Sequence, residues 1–231
     1  MINTIKFTQE VVGAKIDGIY GKETMTKVKA WLEQHDLLDK VKANTIVAIR
    51  TSDTFTDKFD DLMLLQGSAG HVFIVPCSTK AGRYYVDNPM TPEGTAVIAE
   101  GFYHESHVAE YTFRFGGRHI ELKQVGNAVK FYRDNNKDKK IDRTNVKQGY
   151  VGLNIHIAKS SIYVGKWSAG CIVVPAEYWI ELERHLLHVF HRYSLHVLAK
   201  DVKSPYIAEP KTTKKRSTKR TQNKKSNGKS S

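Results

Sequence analysis

Residues 151–174 read VGLNIHIAKSSIYVGKWSAGCIVV. The first eight alternate as a strand does, so Val151, Leu153, Ile155 and Ile157 share one face and Gly152, Asn154, His156 and Ala158 the other. That phase predicts a strand over residues 151–158 with His156 turned away from the apolar side. Cys171 follows Gly165, Trp167 and the run Ser168-Ala169-Gly170. A turn of small residues running straight into a cysteine leaves the thiol approachable and lets neighbouring backbone N–H groups face a developing oxyanion.

A histidine and a cysteine so disposed suit nucleophilic catalysis. An unperturbed thiol has a pKa of ~8.5, and a nearby imidazole lets it ionise and then carries the proton. A further group usually fixes the tautomer of that imidazole. No acidic residue adjoins His156 in the sequence, so a backbone carbonyl is expected in that role. Alone, a His–Cys pair at this spacing is more often core filler than a site; its surroundings decide.

Those surroundings resemble the signature of the L,D-transpeptidase (YkuD-type) family: His, a gap, Ser or Thr, then His-Gly-Cys, an apolar residue, and Asn or Arg. The matching positions are His156, Ser168, Gly170, Cys171 and Ile172. Upstream, Asn88-Pro89-Met90-Thr91-Pro92-Glu93-Gly94-Thr95 is similar to the family's Thr-Pro-x-Gly element leading into a strand. Order and spacing agree over residues 45–195. The resemblance implies Cys171 as nucleophile, His156 as general base and the carbonyl of Ile157 orienting the imidazole, with Ser168 and Gly170 as further positions of the catalytic motif. It further implies attack on the third residue of a peptidoglycan tetrapeptide stem, expulsion of the terminal D-Ala and transfer of the acyl group to an amine. Water as acceptor would make the same site a carboxypeptidase or endopeptidase. Asn154, Tyr163 and Trp167 are the expected substrate-facing residues, and no cofactor or metal is called for.

The sequence departs from that signature twice, with Ala169 in place of the second His and Val173 in place of the Asn or Arg. Both departures leave the choice between transpeptidation and hydrolysis open. The competing reading is a non-catalytic wall-binding or virion structural protein with a degenerate transpeptidase fold. Papain-like and NlpC/P60-like peptidases place the nucleophile before the His, the reverse order. Sortases share the order, but Arg184 falls within a predicted helix and the His-to-Cys gap is short for them.

Outward from this stretch, β-branched and aromatic runs separated by Gly, Asp and Asn turns predict strands at 45–49, 62–65, 71–75, 95–98, 110–115, 120–123 and 129–132. A helix is predicted from Ala176 to about Ser194, with Pro175 in its first turn and Trp179, Leu182, Leu186, Val189 and Tyr193 as its apolar stripe. The expected fold is α+β: a mainly antiparallel, barrel-like sheet with a covering C-terminal helix, preceded by a small helical module. Cys77 ends the apolar run that begins at His71 and is expected as a small core residue.

Before the strands, helices are predicted over residues 4–12 and 22–38, the second with Met25, Val28, Trp31, Leu32 and His35 at three- and four-residue steps. The stretch DGIYGKETMTKVKAWL resembles the peptidoglycan-binding domain type 1 family; an ordinary helical hairpin packed on the main domain is the rival reading. The expected division is a helical module at 1–42, a catalytic domain at 43–200 and a disordered basic tail at 201–231.

Of the formal charge of +12, nine Lys or Arg lie from Lys211 onward with no acidic residue, which leaves +3 for residues 1–210. Such a tail suits non-specific contact with anionic cell-wall polymer or nucleic acid. No apolar run reaches the ~20 residues of a membrane-spanning helix, and no secretory signal is readable at the N-terminus. The expected location is therefore cytoplasmic until release, or virion-associated as in a phage-encoded enzyme, with action at the bacterial cell wall. Asp134, Asn136, Asp138 and Asp142 have the spacing of a calcium loop, but Lys139 replaces the turn Gly, which favours a polar surface turn. His185, His188 and His191, with Glu181, are read as a solvated helix face in preference to a zinc site.

Overall fold

In the computed structural model, which describes residues 2–114, 116–189 and 191–206, the apolar runs become strands buried on one or both faces. The strands are β1 (Thr45–Arg50), β2 (Asp61–Gln66), β3 (Val72–Cys77), β4 (Thr95–Ile98), β5 (Gly101–Arg114), β6 (Gly117–Lys123), β7 (Val129–Asp134), β8 (Val146–Gly149), β9 (Ile155–Ala158), β10 (Ile172–Pro175) and β11 (Arg192–Ala199). The helices are α1 (Ile2–Val12), α2 (Lys22–Gln34), α3 (Arg83–Asp87) and α4 (Ala176–Val189). The protein is α+β, with a mixed, mostly antiparallel sheet.

Eight strands form one sheet in the order β10-β9-β6-β5-β11-β1-β2-β3, and β4-β7-β8 form a second. Among the described residues, only β1–β11 and β9–β10 pair in parallel. The large sheet curls until its two ends meet just past β3, where Ser78 and Val173 exchange backbone hydrogen bonds of 2.9 and 3.0 Å. Inside the curl lies the main core, to which Ile46, Met63, Val75, Leu122, Ile155, Val174 and Leu195 contribute. The second sheet adds Ala96, Ile98, Val129 and Phe131 to it.

Strands β1–β3 are nearly unbroken apolar runs because both of their faces are covered. Val47, Ile49, Leu62, Leu64 and Ile74 point outward and meet Phe7 of α1 and Val28, Trp31 and Leu32 of α2. The helices are tied together by Gln9, whose Oε1 accepts the Asp17 and Gly18 N–H groups while its Nε2 donates to Asp17 Oδ1 and the Ile19 carbonyl. The side chain of α1 thus fixes the turn that starts α2. On the other side, α4 drives Trp179, Leu182 and Leu186 into the main core, and the Trp179 indole donates to the Ile120 carbonyl at 3.0 Å.

Several elements differ from expectation. The strand predicted from Val151 begins only at Ile155; residues 151–154 are a loop in which Gly152 adopts φ of 69°. The last helix stops at Val189, and Tyr193, expected on its stripe, belongs to β11, a central strand of the large sheet. Pro175 ends β10 instead of entering the helix. In α2 the buried positions are Thr24, Val28, Trp31 and Leu32, whereas Met25 is 49% exposed. No helix among the described residues is long and apolar enough to cross a membrane. The basic run from Lys211 lies outside the described residues.

Candidate active site

The parallel pairing of β9 with β10 sets the geometry. Ile155 stands opposite Ile172 and His156 opposite Val173, and the ladder extends backward through the Ile172 N–H, which donates to the Asn154 carbonyl at 2.9 Å. Paired residues share a face and alternate along each strand. Ile155, Ile157, Ile172 and Val174 therefore enter the main core, while His156, Ala158, Cys171 and Val173 lie on the opposite face. There Ala158 and Val173 pack with Phe59 and Val164, and Trp167, Cys171 and Tyr206 lean against that small cluster.

His156 is buried, 3% exposed, and its Nδ1 lies 2.8 Å from the Ile157 carbonyl. A carbonyl only accepts, so Nδ1 carries a proton, and in the neutral ring the lone pair is on Nε2. The antiparallel pair Leu122–Ile155 places the neighbouring Glu121 of β6 alongside His156, on the same face. Glu121 is 1% exposed and accepts from the Asn154 side-chain amide at 2.8 Å. Glu121 is remote from His156 along the chain, so no acidic neighbour is legible there, and sheet pairing brings the two together.

Cys171 is partly exposed, and its thiol donates to the Gly152 carbonyl at 3.3 Å. The Ser168 hydroxyl donates to the Cys171 carbonyl at 2.7 Å and accepts the Gly170 N–H at 3.0 Å. Ser168 thus closes the turn from within, and the Gly170 N–H is committed to it. Gly170 has φ of 137°, and a Cβ there would lie 2.3 Å from the Ala96 carbonyl oxygen. Only glycine allows this approach between the turn and β4.

The loop carrying Gly152 is held by buried side chains. Gln124 Oε1 accepts the Val151 and Leu153 N–H groups, and its amide donates to the Gly149 carbonyl. The Gln124 N–H donates to Asn154 Oδ1 at 2.9 Å, so the Asn154 amide is engaged at both ends inside the protein. His107, wholly buried, reaches the Leu153 carbonyl with Nε2 at 2.9 Å and Ser106 Oγ with Nδ1 at 2.8 Å. Burial lowers its pKa to about 4 despite the Leu153 hydrogen bond. His107 is accordingly neutral, its Nε2–H donated to the loop.

Cys171 opens into a cleft of about 300 Å³ whose other walls are Tyr85, Met90, Thr91, Gly94, Thr95, Ala96, Arg133, Val151, Gly152, Leu153 and Ala169. The two motifs that stood far apart in the sequence, around Thr91 and around Cys171, line one cavity. Arg133 of β7 is not legible as a site residue in the sequence, where its only cue is a basic residue on the strand paired with the one following Thr91. Tyr163 is 55% exposed and lines a different cavity, of about 400 Å³, with Phe55, Asp57, Arg83 and Lys139. The second thiol, Cys77, is fully buried in the main core, and burial pushes it well above the usual cysteine range.

The weaker candidates have local partners. Asp134, Asn136 and Asp138 accept the backbone N–H groups of Asp142, Asp138 and Lys140. Glu181 accepts the Thr4 N–H at 2.8 Å, and His185 packs its ring on Phe73. The His188 side chain lies outside the described residues. Among the described residues no group of three His, Cys, Asp or Glu is arranged to hold a metal ion.

No protein-family model matches the chain, and no curated protein matches it in sequence. Among solved structures, the chain is similar to the crystal structure of L,D-transpeptidase (Yku) from Stackebrandtia nassauensis, with a TM-score of 0.32 and 11% identity over 86% of this chain and 78% of that one.

Proposed function

We propose that the chain performs cysteine-dependent acyl transfer or hydrolysis on peptidoglycan stem peptides, with Cys171 as nucleophile and His156 as general base. The observation that carries this reading is the cleft in which Cys171 meets the Thr91–Thr95 element, at the edge of the sheet face that bears His156. The imidazole tautomer suits the role, since Nδ1–H on the Ile157 carbonyl leaves Nε2 as the base.

In the proposed reaction the S–H proton leaves its contact with the Gly152 carbonyl and passes to His156 Nε2. The thiolate adds to the carbonyl of the third stem residue, and the imidazolium returns the proton to the departing D-Ala amine. A thioester at Cys171 results. An amine acceptor then yields a cross-link and water a shortened stem, His156 taking the proton from the acceptor in either case. Ser168 and Gly170 keep the turn closed, and Trp167 packs beside Cys171. Peptidoglycan is the proposed partner, and the bacterial wall the proposed place of action.

One observation favours the rival, non-catalytic reading: the residue opposite His156 is the apolar, fully buried Val173. Mass spectrometry separates the two. Purified protein and Cys171→Ala are incubated with sacculi or with a tetrapeptide stem across pH 6–9. A thioester adduct, D-Ala loss or cross-links with the unaltered chain alone are expected. Absence of adduct and product throughout, with retained sacculus binding, would establish the rival.

A further inference from the structure

Arg133 projects from β7 into the wall of the Cys171 cleft, its side chain only 13% exposed. One edge of its guanidinium is used: Nη1 donates to the Gly94 carbonyl at 3.2 Å and lies 3.4 Å from Thr91 Oγ1. The other edge is not. Nε is buried without a hydrogen-bond partner, and Nη2 makes no hydrogen bond among the described residues. Glu93 Oε2 approaches Nε only to 3.8 Å, and that carboxylate, half exposed, is drawn off by Lys147. An unmade hydrogen bond on a buried charged donor costs more than most single contacts contribute, so the unpaired edge calls for an anionic occupant. The parallel Nε–H and Nη2–H donors match the two oxygens of a carboxylate.

We propose that Arg133 binds the C-terminal carboxylate of the donor peptide through its Nε/Nη2 edge and so restricts the Cys171 cleft to peptides that end there. This rests on the reading of Cys171 as the acylated residue, and it narrows that reading from endopeptidase to reactions at a chain end. Thr91 and Gly94 hold the guanidinium from behind. The terminal carboxylate takes the place at Nε that Glu93 fills poorly, and Glu93 stays with Lys147.

The test uses the Cys171→Ala chain, in which no chemistry intervenes, and two synthetic tetrapeptide stems ending in D-Ala, one with a free carboxylate and one with a carboxamide. Binding is followed by calorimetry. The free acid is expected to bind about tenfold to a hundredfold more tightly, the range for a charge-assisted pair. Adding Arg133→Gln should remove the preference by weakening the acid alone, and Arg133→Lys should restore only part of it, with melting temperatures confirming that both variants fold. Equal binding of acid and amide, no saturable binding of the acid, or an unchanged preference in Arg133→Gln would overturn the proposal. Selective binding by a chain whose Cys171 forms no adduct would instead overturn the catalytic reading and leave the Arg133 site standing.

Discussion

His107 links a single buried proton to the loop beside the candidate nucleophile. Its folded-state pKa of about 4 lies below the ~6.5 of an exposed histidine. Below pH 6.5 the unfolded chain therefore binds a proton that the folded chain refuses, so folding stability falls as pH drops from about 6.5 to 4. The full contribution, on the order of 3 kcal/mol, is present above that window. Unfolding free energies from urea titrations at pH 7.5 and 4.5 should differ by most of that amount, and His107→Gln should flatten the difference. A second loss is expected lower down. Burial alone would raise Glu100, but the Tyr132 hydroxyl, Arg143 and Arg50 bring it to about 2, so its contribution declines from about pH 4.5 toward 2. Glu121 carries another prediction: Glu121→Ala strips the Asn154 amide of its acceptor and should cost about 1–3 kcal/mol in chemical denaturation. Glu121→Gln, which keeps an acceptor oxygen, should lose less. Local sequence makes His156 and Cys171 readable because strand phase and small-residue turns are local properties. Glu121, His107 and Arg133 are not readable that way, since each reaches the site only through strand pairing.

At the scale of elements, alternation locates most strands to within a few residues, and it fails where two periodicities coincide. Tyr193 stands four residues after Val189 and so continues a helical stripe, yet Tyr193, Leu195 and Val197 also alternate as a strand, and they fill the main core. The decisive fact is the neighbour: β1 offers a parallel edge to β11, and no local signal reports it. Residues 151–154 fail for another reason. Their apolar positions obey the period of two, but Gly152 turns into the left-handed region and Gln124 takes the Val151 and Leu153 N–H groups that a neighbouring strand would have used. The turn before β10 yields a test. Gly170→Ala sets a Cβ against the Ala96 carbonyl at a φ that side chains avoid, and it should destabilise the fold by at least about 1–3 kcal/mol, read as a lowered melting temperature. An unchanged melting temperature would mean that the turn and β4 can part without cost.

For the whole molecule, the question is how a curled sheet with an open side keeps its last strand from pairing with another chain. β3 ends the large sheet and meets β10 only at the Ser78–Val173 bridge, so its outer edge would expose backbone donors and acceptors to any passing strand. Side chains from the N-terminal helical segment occupy that edge. The Ile74 N–H donates to Thr8 Oγ1 at 3.0 Å, and the Tyr20 hydroxyl accepts the Val72 N–H at 3.0 Å and donates to the Val72 carbonyl at 2.8 Å. The same segment covers the outward apolar residues of β1–β3. We therefore expect residues 1–42 to be required for folding of the remainder. Thr8→Val and Tyr20→Phe leave the apolar packing in place but orphan the β3 edge, and each should lower stability by about 1–3 kcal/mol in urea denaturation. Deleting residues 1–42 uncovers edge and face together, and the truncated chain should aggregate or pair through β3 when followed by light scattering. A truncated chain that stays monomeric and melts at the temperature of the full chain would make the helical segment a separable module. Loss of solubility on truncation, together with the two point-mutant losses, would make the segment the structural cap that lets the curled sheet remain open beside its candidate site.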